Sequence, residues 1–181
     1  IPYEKHNLWI IDDKLAFSDF ISSDKAFSQL NNIKSESNDR ADLLFDSKNI
    51  FSNNDNTDLD TVTIVEFKRP ERDDYTDKDN PISQIYNYID EIKEGKVRKS
   101  TGRPISVINN VKFYCYIICD ITKKIESFAK KANFVEMPDG NGYFLFSNNY
   151  NAYIEIISFN KVLDDCKKRN NILFKKLGLE K

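Results

Sequence analysis

Glu66 and Lys68 stand two apart in the run Thr61 to Lys68 (TVTIVEFK). A strand over that run points both side chains to one face, about 6.6 Å apart along the chain, at its polar end. Asp42 belongs to the preceding apolar run Ala41 to Phe45 (ADLLF). A hairpin joining the two runs would bring its carboxylate beside Glu66. Two carboxylates meeting this way suit Mg²⁺, which takes oxygen ligands at roughly 2.1 Å and commonly uses only one or two protein carboxylates. An E-x-K triplet alone also decorates ordinary solvent faces. Its context is a following helix in which Gln84 and Tyr88 are one turn apart on one face, so that both can reach the same cleft or a phosphate.

Other chemistries have fewer resources. The single histidine, His6, would have to serve any zinc site or any Ser-His-Asp or Cys-His device, and no nucleophile elbow is present. Three cysteines give no disulfide framework, and Cys115 and Cys119 lie in the apolar run Phe113 to Cys119, where small buried hydrophobes belong. A reducing cytoplasm is the expected compartment. Catalysis, if any, falls to carboxylates, lysine and a hard metal ion.

The elements that must position these groups are read from period and punctuation. Asp12 and Asp13 precede Lys14 to Ile21, where Leu15, Ala16, Phe20 and Ile21 share a helical face, so an N-terminal helix is expected. The run from Ala41 to Phe45 predicts a strand, the polar stretch to about Asp60 a hairpin loop, and Thr61 to Lys68 a central strand stopped by Pro70. Asn80 and Pro81 form an N-cap and first helical position ahead of Ile82, Ile85, Ile89 and Ile92. Val111 to Asp120 (VKFYCYIICD) reads as a strand covered on both sides, followed by a helix capped by Thr122. The turn PDGNG (Pro138 to Gly142) joins two short strands, Tyr153 to Phe159 adds another, and a helix from Asn160 closes the chain before Gly178. The fold class expected is α/β, a mixed central sheet flanked by helices.

With 181 residues, 40% hydrophobic and only 5 glycines, the chain suits a single packed domain spanning 1–181 rather than a disordered or fibrous one. No apolar run approaches the roughly 18 residues of a membrane span, and none reads as a secretion signal, so no membrane partner is expected. The chain begins with Ile1 rather than Met, and we expect a piece cut from a longer protein. The net charge of −2 does not by itself announce nucleic-acid binding. Its distribution says more. Lys93, Lys96, Arg98, Lys99 and Arg103 gather around Gly95 and Gly102 in a basic loop, with a second cluster at Lys167, Lys168 and Arg169. Arg69 and Arg72, directly after the motif strand, can hold flanking phosphates or be plain surface residues.

With Asp42, Glu66-Phe67-Lys68 and the Gln84 to Tyr88 helix in this order, the sequence resembles the PD-(D/E)XK nuclease superfamily, in the branch carrying a Q-x-x-x-Y helix. Ala41 stands where the motif's name has proline, which has no catalytic atom to lose. The resemblance implies a restriction-endonuclease-like core in which Asp42, Glu66 and the backbone carbonyl of Phe67 bind Mg²⁺ or Mn²⁺. Lys68 would orient or activate the attacking water, with Gln84 beside it. The superfamily often adds an acidic residue from its first helix, for which Asp12, Asp13 and Asp19 are available and Asp13 is our choice. Nucleic acid, most naturally DNA, is then the partner, with Arg69, Arg72, Tyr88, Lys96, Arg98 and Lys99 as candidate contacts. The strings NLWIIDDKLAF, VEFKRPERDDY and YNAYIEIISF also resemble a nuclease-like C-terminal region of large bacterial proteins whose N-terminal part is a gyrase or histidine-kinase type ATPase. That implies an ATPase domain in the same longer chain, and homo-oligomers stay open. The alternatives to a metal-dependent nuclease are an inactive module on the same scaffold that binds DNA or a protein partner, and a domain with no nucleic-acid role.

Overall fold

The computed structural model describes residues 10–12, 19–23, 43–47, 58–97, 104–176 and 178. Its elements are strands β1 (Asp19–Ser23), β2 (Leu43–Ser47) and β3 (Leu59–Phe67), helix α1 (Pro81–Lys93), strand β4 (Val107–Ile118), helix α2 (Lys123–Lys131), strands β5 (Val135–Glu136), β6 (Gly142–Ser147) and β7 (Ala152–Ile157), and helix α3 (Phe159–Lys176). The strands form one mixed sheet in the order β1-β2-β3-β4-β7-β6-β5. The chain is therefore an α/β protein. At the centre β3, β4 and β7 run parallel, and both flanks are antiparallel.

The central strands are apolar on both faces because both are covered. Val62 and Ile64 of β3, Phe113, Cys115 and Ile117 of β4, and Ile154 and Ile156 of β7 pack against Ile82, Ile85, Ile89 and Ile92 of α1 and Ile125 and Phe128 of α2. The intervening residues Val65, Tyr116, Ile118 and Ile157 meet Phe159 and Val162 of α3. Each isoleucine so closed off contributes about 1.5 to 3 kcal/mol by leaving water. Alternation along β3 puts the even-numbered residues, Glu66 among them, on the α1 side.

The sequence reading is corrected at several places. The N-terminal helix expected over Lys14 to Ile21 is not formed at its end: Asp19–Ser23 is a strand, paired antiparallel with β2 through Phe20↔Phe45. Cross-strand pairing overrides the local helical spacing there. Residues 13–18 lie outside the described residues, as does His6. Of the strand expected over Ala41 to Phe45, Leu43 to Phe45 lie in β2, which runs on to Ser47, and Ala41 and Asp42 lie outside the described residues; β4 starts four residues earlier than its apolar stretch. Those added residues are the half-buried Val107 and the exposed Ile108, Asn109 and Asn110, whose ladder needs no apolar pattern. The PDGNG turn joins β5 to β6 as expected, with Gly140 at φ +68. A Cβ on Gly142 would sit inside van der Waals contact of the Ile156 carbonyl oxygen, so the β6 to β7 pairing requires glycine there.

Candidate active site

β3 delivers its last residues to the sheet end where β4 also finishes. Glu66 lies opposite Ile117, and the Lys68 N–H donates to the Ile118 carbonyl at 2.9 Å, so the ladder is held one residue past the strand proper. Both functional side chains are buried, Glu66 4% and Lys68 8% exposed. The Lys68 ammonium donates to Glu66 Oε1 at 2.5 Å and to Gln84 Oε1 at 2.6 Å. A lysine has only donors, so the Gln84 amide must present its oxygen, and its NH₂ faces away from the ammonium.

Gln84 reaches this point because α1 starts where it does. Asn80 caps the helix, its Oδ1 accepting from Ile82 N–H at 2.9 Å, Pro81 occupies the first turn, and Gln84 N–H closes on the Asn80 carbonyl at 3.1 Å. The E-x-K strand and the glutamine helix, separated by sequence, thus converge on one ammonium group.

Two buried side chains, Cys119 and Tyr75, lie in the core near this cluster. Cys119 is fully buried, and burial pushes its thiol up to about 12, with Asp120 adding to the shift and the Lys68 charge opposing it. It is a neutral, unreactive group at pH 7. Tyr75, 3% exposed, packs in the same core, and its phenol is likewise raised to about 12, chiefly by burial and next by Cys119. Cys119 is buried as the apolar run Phe113 to Cys119 predicts, whereas Tyr75 had no sequence signal beyond being an aromatic near charged residues.

The remaining site residues divide. Phe67 is 39% exposed and pairs with Ile118. Arg69 is exposed, one residue beyond Lys68. Arg72 is turned inward: its Nε donates to Asp74 at 2.8 Å, its Nη2 pairs with Asp79, and its guanidinium lies 4.3 Å from the centre of the Tyr75 ring. Two neighbouring carboxylates engage its guanidinium, so a phosphate arriving at this residue would have to displace them. Tyr88 shares Gln84's side of the helix, and at 1% exposure its ring is part of the core. Lys96 is exposed and pairs with Glu94. Asp42, Asp13, Arg98 and Lys99 lie outside the described residues. Asp12 is described, and it accepts from the Tyr116 hydroxyl at 2.6 Å, on the α3 side of the sheet and away from Glu66.

The side-chain acceptors gathered at the Lys68 ammonium are both oxygens, of the Glu66 carboxylate and the Gln84 amide. That chemistry fits a hard divalent cation and not a soft one. Among the described residues no group of three or more His, Cys, Asp or Glu side chains gathers. The register Leu43↔Val65 runs from the residue after Asp42 to the residue before Glu66. A pocket of about 460 Å³ opens elsewhere, lined among others by Asp12, Tyr116, Glu155, Lys161 and Arg169, and includes none of Glu66, Lys68 and Gln84. No helix among the described residues is long and apolar enough to cross a membrane. Comparison with family models, with curated proteins and with solved structures gives no match.

Proposed function

We propose that this chain is a divalent-metal-dependent nuclease of the PD-(D/E)XK type, hydrolysing phosphodiester bonds, most naturally in DNA. The observation that carries the reading is the convergence of Glu66 and Gln84 on the Lys68 ammonium, 2.5 and 2.6 Å away, at the end of a central parallel strand. An antiparallel hairpin, β2 to β3, followed by α1 and the parallel β4 supports it further.

Glu66, the Phe67 carbonyl and Asp42 would hold Mg²⁺ or Mn²⁺. When bound, the ion supplies charge on the phosphate oxygens and a lowered pKa for water. Lys68 then acts from a fixed position: Gln84 fixes the direction of its N–H bonds, and the ammonium either orients the attacking water or, deprotonated, accepts a proton from it. Hydrolysis adds the water oxygen to phosphorus and one water proton to the departing oxygen. Arg69, exposed beside Lys68, would meet a neighbouring phosphate.

A second reading, a scaffold that binds without cutting, draws on the same ion pair: Lys68 closes on the carboxylate that a metal needs. The test separates them. Purified chain is incubated with linear, circular and single-stranded DNA and Mg²⁺ or Mn²⁺, with and without EDTA, beside Glu66→Gln. Metal-dependent cleavage lost in the variant is expected. DNA binding without cleavage by the wild-type chain points to the binding module, and cleavage unchanged in Glu66→Gln removes the site assignment.

A further inference from the structure

Eleven residues, 69–79, connect Lys68 to the helix cap at Asn80, so this loop sets both ends of the Lys68 to Gln84 contact. It is fastened at two points. Near its start Glu71 adopts φ 59, a left-handed conformation costly for a residue with a side chain, and its N–H donates to Asp120 Oδ2 at 2.6 Å, at the end of β4. At its far end Asp79, the residue before the cap, uses both carboxylate oxygens: Oδ1 accepts from the Thr76 hydroxyl at 2.6 Å and Thr76 N–H at 2.5 Å, and Oδ2 from Arg72. Arg72 spans the two halves, held by Asp74 and Asp79 and lying against Tyr75, whose ring is sunk in the core beneath.

We infer that Arg72 is a positioning residue: by tying Asp79 and Tyr75 together it fixes where α1 begins, and so fixes Gln84 against Lys68. The inference rests on reading Lys68 as the water-orienting group, but its geometry is independent of that reading. A planar guanidinium suits the role because it engages two carboxylates in a fixed fork while its face covers a ring; a lysine supplies the charge without the fork. A surface arginine contacting phosphate would behave differently. Its loss would weaken DNA binding and flatten the salt dependence, with Lys68 unaffected.

The experiment compares wild type with Arg72→Gln, Arg72→Lys, Asp79→Asn and the Arg72→Gln/Asp79→Asn pair. The first readout is the rate at which Lys68 is acylated by acetic anhydride, followed by peptide mass mapping, which needs no nuclease activity. Lys68 is expected to react about fivefold faster in Arg72→Gln and in Asp79→Asn, the factor corresponding to loss of one partly exposed ion pair. The double variant should react no faster than either single one, and Arg72→Lys should fail to restore the wild-type rate. The second readout is cleavage of a short substrate, where kcat falls and KM holds. The third is the slope of DNA affinity against salt, which stays at the wild-type value. Unchanged Lys68 reactivity in both single variants overturns the inference, as does a salt slope reduced by about one with Lys68 unaffected, which makes Arg72 a phosphate contact. Should Arg72→Gln not fold, the isosteric Asp79→Asn decides the question by the same readouts. A wild-type chain that cuts nothing removes the nuclease reading while the acylation result still decides the clamp.

Discussion

Lys68 and Glu66, two residues apart on β3, form an ion pair of 2.5 Å with only 8% and 5% of their side chains exposed. Attraction in so dry a place is strong, but so is the cost of removing both groups from water, and the pair holds because Gln84 also accepts from the ammonium. The consequence is asymmetric: either group alone is worse than both or neither.

Lys68→Met is therefore expected to destabilise the fold by about 3 to 5 kcal/mol, since it removes the ammonium that faces the buried Glu66 carboxylate. Glu66→Gln keeps an acceptor for the ammonium and should cost less. The double variant Glu66→Gln/Lys68→Met should recover most of the loss. Urea denaturation of the four proteins measures the coupling, and strictly additive losses would show that the pair does not form in solution. Cleavage in both single variants should fall by on the order of a hundredfold or more.

The helix cap is the next control point. Asn80→Ala removes the acceptor for Ile82 N–H and is expected to lower stability by about 1 kcal/mol. It should also lower kcat more than Lys96→Ala does, because the frayed turn is the one that carries Gln84. Asn80→Asp retains the capping oxygen and should restore both. Equal kcat in Asn80→Ala and wild type would mean that Gln84 needs no ordered first turn.

What the sequence made legible follows from where local chemistry decides. The β-branched run of β3, the Asn80-Pro81 start of α1 and the PDGNG turn are local signals: α1 and the turn lie where they put them, and β3 runs from Leu59 to Phe67, starting two residues before the expected Thr61. β1 was hidden because Phe20 and Ile21 fit a helical face as well as a strand, and only pairing with β2 chooses. The same limit governs the site. Spacing of four puts Gln84 and Tyr88 on one side of α1, but whether that side meets the cleft or the core depends on where the helix crosses the sheet: Gln84 reaches Lys68 and Tyr88 is sealed. Arg72 carried its partners in plain sight, at Asp74 and Asp79, yet nothing local says that the intervening chain folds back on Tyr75.

Tyr75 gives the fold a signature at high pH. Burial raises its phenol from 10.0 to about 12, so between those values the unfolded chain has lost a proton that the folded chain keeps. The stability linked to this group is complete below pH 10 and is lost as pH rises toward 12, at about 1.4 kcal/mol per pH unit. Tyr75→Phe should flatten the stability-against-pH curve in that window by one proton. A slope identical to wild type would place the phenol in water in the folded state.

The final prediction separates the two basic features left outside the core. Arg69 is exposed directly after Lys68, whereas Lys96 follows the far end of α1, whose 13 residues span about 20 Å. Twenty ångströms along B-DNA is about six base pairs at 3.4 Å each, so a duplex covering only the Lys68 region does not extend to Lys96. Its pairing with Glu94 is no obstacle, because a solvent-exposed ion pair is weak and yields readily to phosphate. Arg69→Ala is thus expected to lower the log-log salt slope of binding by about one on short and long duplexes alike, and Lys96→Ala only on duplexes that run at least six base pairs further on the α1 side. Salt titrations of both variants on two duplex lengths make the comparison. If Lys96→Ala changes neither slope, the turn after α1 is a solvated surface; if it changes both equally, the nucleic acid does not follow the helix, and the track must cross the sheet end in another direction.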